Sequence, residues 1–383
     1  MLVIQDGEFH TVTGGVVRGS LLVKDGRIAA LGRVEIPPEA EVLEAGGRPV
    51  YPGFIDAHTH LGLYEEGEGW AGDDVNETGE PVTPHLRAID GINPADAGFT
   101  DALRGGVTAA WVAPGSANVL GGEGVTLRTA GREVAQMVLR APWGLKGALG
   151  ENPKRVHGDQ KRVPSTRIGT AGMLRETLVR AQGYLEKVRA GGDKTPERDL
   201  RLEAVGRVLR GEYPLRLHAH RADDILTGVR IAEEFGIRIC IEHCTEGHQV
   251  AQELARRGIP AVVGPSLAAR VKAELRDRSF RTPAVLSRAG VKVALMTDHP
   301  VVPSAFLPLA AALAVREGMT EEEALRAVTI HAAEICGVGD RLGSLEAGKD
   351  ADLVVWSGPP FDLRSRPLAV LVAGRVVHRQ EGF

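Results

Sequence analysis

The feature that most constrains the fold is a series of short apolar segments, separated by longer amphipathic ones. The segments typical of buried strands lie at residues 52–60, 106–114, 144–150, 215–220, 237–243, 259–264 and 291–298, and residues 125–130 and 135–140 could supply another. Helical stretches such as 222–236 and 247–258 lie between them, and each ends at a glycine. Strands that alternate with helices in this way predict an α/β fold with a parallel sheet.

Seven or eight such strands are the number expected for a (β/α)8 barrel of the TIM type, which takes about 250 residues. The alternative is an open, doubly wound sheet. A nucleotide-binding sheet of that kind has a glycine fingerprint after its first strand, and none follows residues 52–60 here. The sequence therefore favours the barrel.

Both ends of the chain have a different pattern, with short strands broken by turns. Residues 21–32 alternate apolar and polar positions around an Asp25-Gly26 pair, which is a hairpin signal. Residues 350–356 and 367–377 are similar in character. We expect residues 1–50 and 345–383 to form one small β-sandwich-like domain, interrupted in sequence by a barrel over residues 51–344.

Composition limits the partners and the compartment. The 383 residues carry a formal net charge of −4, which gives no global attraction to nucleic acid or to an anionic membrane. No apolar run reaches the roughly 18 residues of a membrane span, and the first residues lack a signal-peptide layout. We therefore expect a cytoplasmic protein with a small-molecule substrate, no nucleic-acid or membrane partner, and a homo-oligomeric state left open.

The three cysteines, Cys240, Cys244 and Cys336, have neither zinc-ribbon nor redox spacing. Strand alternation puts Cys240 and Cys244 opposite His243, toward the helices. A free cysteine in that position is more often a small apolar residue than a metal ligand.

Four of the predicted strands end in residues that bind metals. In a barrel the carboxyl ends of the strands meet on one rim, so these side chains are expected to converge. Imidazole and carboxylate groups on one rim make a site for Zn²⁺ or a similar first-row ion. The residues concerned are His58, His60, His218, His220, His243 and Asp298. Asp56 lies two residues before His58, and strand alternation puts it on the same face.

These motifs, in this order, resemble those of the amidohydrolase superfamily, in its imidazolonepropionase-like branch. The motifs are PGFIDAHTH, LHAH, IEHC, MTDHP and GSLEAGKDADLVVW. The resemblance covers nearly the whole chain, including the split β-domain. It implies that His58, His60 and Asp298 bind the deeper metal and that His218 and His243 bind a second one. With one metal, His218 joins the first set and His243 orients substrate or hydroxide.

The resemblance also implies a bridging ligand in two-metal members, either a carbamylated lysine or a glutamate from a middle strand. The candidates are Lys146 and Glu151. Glu151 lies where the strand is expected to end, and Lys146 falls on the opposite face by alternation. Position therefore favours Glu151, with Lys146 as the alternative.

The expected chemistry follows from these ligands. A bound metal, Zn²⁺ or else Mn²⁺ or Fe²⁺, lowers the pKa of its water to about 7 and polarises a carbonyl. Asp298 can take the proton of that water and return it to the leaving amine. The expected reaction is hydrolysis of a C–N bond in an amide, a cyclic amide or a peptide-like substrate.

Two other functions remain as alternatives. A heterocycle deaminase of the same superfamily would carry an extra glutamate beside a histidine on a middle strand. Glu242 stands next to His243, but strand alternation points it away from the pocket. A non-catalytic barrel that serves as a binding module would be expected to have lost ligands, and the set is complete here.

Substrate contacts are expected on the same rim. Arg221, directly after His220, is the residue best placed to hold a substrate carboxylate. His220 is a substrate or supporting residue, and Asn118 belongs to a glycine-rich loop whose backbone could approach a ligand. The basic segment 151–167 is a further candidate clamp for a carboxylate.

Overall fold

The computed structural model describes residues 1–192 and 196–383, and over these residues the chain is α/β with mixed sheets. The strands are β1 (Leu2–His10), β2 (Val16–Lys24), β3 (Arg27–Gly32), β4 (Glu41–Glu44), β5 (Pro49–Pro52), β6 (Phe54–Thr59), β7 (Val107–Val112), β8 (Leu120–Glu123), β9 (Val125–Arg128), β10 (Val138–Arg140), β11 (Leu145–Ala148), β12 (Leu215–Ala219), β13 (Ile239–His243), β14 (Ala261–Val263), β15 (Val293–Leu295), β16 (Leu353–Trp356), β17 (Pro367–Val372) and β18 (Arg375–Arg379).

The α-helices are α1 (Ala97–Arg104), α2 (Val134–Met137), α3 (Glu151–Asp159), α4 (Arg167–Ala190), α5 (Leu200–Leu209), α6 (Ala222–Phe235), α7 (Ala251–Arg256), α8 (Thr282–Arg288), α9 (Leu307–Arg316), α10 (Glu321–Ala327) and α11 (Ile330–Ile335). None of these helices combines the length and apolarity needed to cross a membrane.

Strands from both chain ends form one sheet of eight strands, in the order β18-β17-β16-β5-β1-β2-β3, with β4 beside β1. The predicted hairpin is confirmed: Asp25 and Gly26 have φ of 51° and 77°, and β2 pairs antiparallel with β3. Positive φ at both turn residues matches the twist of the flanking strands. The joining of the two ends therefore follows the sequence pattern, whereas the sandwich-like form and the domain limits at residues 50 and 345 remain predictions.

The middle of the chain forms two further sheets, β10-β9-β7-β6 and β15-β14-β13-β12-β11-β8. Strands β11 to β15 are parallel and in sequence order, with helices between them, as the alternating pattern predicts. Strand β8 pairs antiparallel with β11, and the next strand, β9, pairs antiparallel with β7. The segment 120–128 therefore contributes one strand to each sheet. The sequence prediction lacked β8, because a strand with two glycines has no apolar run.

The end of β15 approaches β6, which brings the last strand of one sheet to the first of the other. The amide of Asp298 donates to the His58 carbonyl at 3.1 Å, and the amide of His60 donates to the His299 carbonyl at 2.9 Å. Helices cover the sheets, and residues such as Leu217 and Val229 are fully buried between the layers. Burying a side chain of this size stabilises the fold by about 2 kcal/mol.

Candidate metal centre

Strand β6 carries His58, and His60 follows directly after its end, so both histidines lie near the ends of the parallel strands. Its side chains are all buried, and the pairing of β6 with β7 is irregular between Asp56 and Thr59. The expectation that Asp56 shares the face of His58 is wrong. Asp56 instead accepts hydrogen bonds from the backbone amide of Thr297 (3.1 Å) and the hydroxyl of Ser304 (3.0 Å). The irregular register breaks the two-residue alternation on which the expectation depended.

The predicted ligands come together in two overlapping groups. Ligand atoms of His58, His243 and Asp298 lie within 4.8 Å of one another, and so do those of His218, His220 and His243. His60 joins the first group, because its Nε2 is 3.3 Å from Asp298 Oδ1. His58 Nε2 is 3.4 Å from the same oxygen. All six histidine and aspartate positions expected at the rim are therefore in one place, with His243 in both groups.

The Nδ1 atoms of several of these histidines are held by hydrogen-bond acceptors of the protein. His60 Nδ1 lies 2.7 Å from the Ala113 carbonyl and His243 Nδ1 lies 3.1 Å from the Gly264 carbonyl. A carbonyl only accepts, so Nδ1 carries the proton and Nε2 has a free lone pair. Metal-binding histidines are typically fixed in this way.

Within this histidine cluster, two buried ring nitrogens have no hydrogen-bond partner in the described part of the chain, namely Nδ1 of His218 and Nε2 of His220. A buried polar atom without a partner is costly, and a bound ion would satisfy a lone pair there. Burial holds the pKa values of both residues and of His243 well below the usual value, so all three imidazoles are neutral at pH 7. Neutral imidazoles with free lone pairs, beside a carboxylate, fit a divalent metal ion.

Asp298 is the carboxylate that faces these imidazoles. Burial alone would raise its pKa, but the hydrogen bond and charge of His60, together with His58 and Lys146, lower it to about 2. Asp298 has a φ of 56°, in a region that non-glycine residues rarely adopt. Such strained positions are frequent at functional sites.

Between the two candidates for a bridging ligand, the structure favours Lys146 over Glu151. Lys146 is buried, and its Nζ lies 3.1 Å from His58 Nε2. Burial lowers its pKa to about 8. Glu151 begins α3, where its backbone amide donates to Glu274, and its carboxylate belongs to neither ligand group. Strand alternation could not be extended to Glu151, because β11 ends at Ala148 and Gly150 turns the chain with a φ of 82°.

The prediction that Glu242 points away from the pocket is also wrong. Glu242 pairs in register with His218 and lies inside, where its Oε2 is 2.8 Å from His58 Nδ1. Alternation failed here because His243 leaves the extended conformation, with a φ of 68°. Burial alone would raise the pKa of Glu242, but the Arg216 guanidinium and His58 lower it to about 2.

Arg216 was missed as a site residue. It is fully buried and forms an ion pair with Glu242, so a charged residue lies directly beneath the histidines. The sequence contained a signal, because an arginine two positions before His218 in an apolar strand needs a buried partner.

Of the expected substrate contacts, only His220 lies in the cluster. Its Nδ1 is 2.8 Å from the hydroxyl of Thr245. Arg221 pairs with Asp223 at 2.8 Å, and more than a third of its side chain is exposed. The side-chain amide of Asn118 donates to the Thr83 hydroxyl (3.0 Å) and to a backbone carbonyl, so its hydrogen bonds are made within the protein.

The basic segment 151–167 forms α3 and the start of α4 rather than an open clamp. Arg167, its last cation, pairs with Asp224 and Glu274. Asn152, a polar residue of this segment, lies near the histidines, together with Lys272, which the sequence did not single out. The Asn152 amide is 3.5 Å from His218 Nε2, and Lys272 Nζ donates to Asn152 Oδ1 at 2.8 Å.

Comparisons with known proteins agree with this site. The model of the amidohydrolase family matches residues 184–377. A crystal structure of an amidohydrolase from Thermotoga maritima is 45% identical, with a TM-score of 0.96 over 99% of this chain and 100% of that one. The imidazolonepropionase of Maricaulis maris is 30% identical over 90% of this chain and 88% of that protein. Amidohydrolase tasK of Hapsidospora irregularis is 32% identical over 94% of this chain, which spans 39% of tasK.

These relatives support a hydrolase of C–N bonds in the imidazolonepropionase-like branch, as the sequence motifs predict. They also imply a TIM-barrel domain. The family is metal-dependent, in keeping with the two groups of ligands around His243. The chain belongs to the amidohydrolase family.

Proposed function

We propose that this protein hydrolyses the C–N bond of an amide, a cyclic amide or a peptide-like small molecule with a divalent metal held by the two ligand groups. The observation that carries the proposal is the convergence of five histidines and Asp298, with His243 common to both groups. Zn²⁺ is the proposed ion, because imidazole and carboxylate ligands suit it, and Mn²⁺ or Fe²⁺ are alternatives.

His58, His60 and Asp298 would hold the first ion, and His218 and His243 a second. Lys146, carbamylated on Nζ by carbon dioxide, is the proposed bridge, supported by the 3.1 Å separation between its Nζ and His58 Nε2. The bound ion supplies Lewis acidity, which lowers the pKa of water toward neutrality and polarises a carbonyl. The backbone hydrogen bonds between the segment after β15 and the end of β6 support closure of the two middle sheets into a (β/α)8 barrel around this centre.

Asp298 is the proposed proton carrier. Its low pKa keeps it ionised at neutral pH, so it can accept the proton of the attacking water. It then returns that proton to the nitrogen of the leaving amine. His243 and His220 would orient the substrate carbonyl, and Asn152 with Lys272 would contact its polar groups, in place of Asn118 and Arg221.

The arrangement of Glu242 disfavours the deaminase alternative. Both of its carboxylate oxygens already accept hydrogen bonds, one from Arg216 and the other from Arg216 and His58. Glu242 is therefore not free to exchange protons with a substrate. The complete ligand set also disfavours a non-catalytic binding module.

A cytoplasmic location and a small-molecule substrate, without a nucleic-acid or membrane partner, remain our proposals, and a homo-oligomer remains open. The location is supported by Cys240, Cys244 and Cys336, which are free, buried thiols. Such cysteines suit a reducing compartment.

The proposal is tested by metal content and by a substrate panel. The purified chain should contain at least one equivalent of Zn, Mn or Fe, and a chelator should abolish activity that the metal then restores. The panel should include N-acyl amino acids, Xaa-Pro dipeptides, hydantoins and imidazolones, with adenosine and cytosine as deamination controls. Less than half an equivalent of metal, or activity only on the deamination controls, would contradict the proposal.

A further inference from the structure

The buried ion pair beneath the metal centre consists of Glu242 and Arg216, and neither side chain is accessible to solvent. Glu242 Oε1 accepts from Arg216 Nε, and Oε2 accepts from Arg216 Nη2 at 3.2 Å. Oε2 also accepts from His58 Nδ1 at 2.8 Å. One carboxylate thus joins a guanidinium to the first histidine of the centre.

Arg216 is held by three contacts, with the Glu242 carboxylate, the Trp111 ring and the Ala57 carbonyl. Its guanidinium lies over the Trp111 ring, 3.8 Å from the ring centroid, and Nη2 donates to the Ala57 carbonyl at 2.8 Å. Ala57 is the residue before His58, so the same side chain holds both the backbone before that histidine and the carboxylate beside its ring. Trp111 is itself held by a hydrogen bond from Nε1 to the Trp143 carbonyl.

A purely structural role does not account for this arrangement. Removing two charges from water is expensive, and apolar residues of similar size often serve a protein interior as well or better. Here the pair is fully enclosed, and Arg216 Nη1 has no hydrogen-bond partner in the described parts of the chain. What the pair provides is an ionised acceptor at one fixed point, directed at His58 Nδ1.

The consequence is specific to His58. The Nδ1 atoms of His60 and His243 face neutral backbone carbonyls, whereas that of His58 faces a carboxylate. A carboxylate fixes the Nδ1–H tautomer and makes Nε2 a stronger electron-pair donor than a carbonyl does.

We propose that Glu242 and Arg216 are positioning residues that fix the tautomer of His58 and strengthen Nε2 as a metal ligand. This inference rests on the proposed metal centre. It assigns to the pair an effect on metal affinity that is separate from any contribution to folding.

The experiment measures the Zn²⁺ affinity of the metal-free protein by competition with a chelator, alongside its unfolding by denaturant. Glu242→Gln keeps the shape and a neutral acceptor for His58 but removes the charge, and Zn²⁺ affinity should fall by about 10- to 100-fold. If the unpaired Arg216 prevents folding, the double variant Glu242→Gln, Arg216→Met removes both charges and should show the same loss of affinity.

Arg128→Met is the matched control, because Arg128 also forms mostly buried ion pairs, with Asp350 and Asp352, but in the contact with the chain-end sheet. It should lose stability and keep its Zn²⁺ affinity. Folded Glu242 variants that bind Zn²⁺ within about twofold of the wild type would overturn the inference. A wild-type chain that binds no Zn²⁺ would overturn the proposed function, and this inference with it.

Discussion

Lys146 Nζ and His58 Nε2 are 3.1 Å apart, and both side chains are buried. A lysine is seldom fully buried, and here it faces a proposed metal ligand rather than a carboxylate.

Replacing Lys146 with methionine should remove one equivalent of bound metal and lower kcat/KM by at least about a hundredfold. A loss of about a hundredfold is the largest typically seen when a residue that supports the metal ligands is replaced. Methionine keeps the apolar part of the side chain but cannot be carbamylated. Metal analysis and steady-state kinetics measure the effect, and Lys154→Met, on the exposed side of α3, is the control. Full metal content in the Lys146 variant would exclude the lysine as a bridge.

Asp298→Asn should lower kcat by about a thousandfold or more, because the amide neither carries the proton nor binds the metal as well. The assay uses whichever substrate the panel identifies. Asp340→Asn, at an exposed position, should leave the rate unchanged. A fully active Asp298 variant would remove the proposed proton carrier.

Arg128→Met should lower the free energy of unfolding by about 3–5 kcal/mol, because it leaves the buried carboxylate of Asp352 without its cation. Arg128 lies 2.7 Å from Asp350 and 3.1 Å from Asp352, and so connects β9 to the chain-end sheet. The exposed pair Arg87–Asp90 is the comparison, and Arg87→Met should cost less than about 1 kcal/mol. Equal effects in urea titrations would contradict this prediction.

Stability should fall in alkaline solution partly because of Cys336. Burial raises the pKa of its thiol to about 12, whereas the thiol of an unfolded cysteine has a pKa of about 8.5. Between these values only the unfolded chain loses the proton, so a rise in pH favours unfolding. The slope contributed by one thiol approaches about 1.4 kcal/mol per pH unit.

Cys336→Ala should reduce that slope between pH 9 and pH 10.5 in denaturant titrations. The loss of the side chain also lowers the free energy of unfolding, but by the same amount at every pH. The native thiol should also resist alkylation at pH 8. An unchanged slope, or rapid alkylation of Cys336 in the folded protein, would show that the thiol is not shielded as described.

The sequence was most informative about residues at strand ends. Parallel strands converge at one edge of a sheet, and this alone predicts that His58, His218, His243 and Asp298 lie together. The prediction depends on the order of the strands and not on the direction of each side chain. The motifs gave the family for the same reason, since they record order and spacing along the chain.

Strand alternation was unreliable at the same strand ends. Asp56, Glu151 and Glu242 were each misplaced, because an irregular register, a turn or a positive φ interrupts the extended backbone just where the site begins. Arg221 and Asn118, expected as substrate contacts, already pair with other groups of the protein. Asp223, two residues along the chain, forms an ion pair with Arg221, and Thr83, which is distant in sequence, accepts a hydrogen bond from Asn118.

The order β17-β16-β5-β1 in the chain-end sheet has a consequence during synthesis. Strand β5 is made early, and its antiparallel neighbour β16 is made almost last, after all the residues of the middle sheets. In a nascent chain on the ribosome, the backbone groups of β5 that face β16 therefore have no partner strand for most of translation. Unpaired strand edges of this kind can pair with other chains. Completion of the C-terminal strands is what closes that edge.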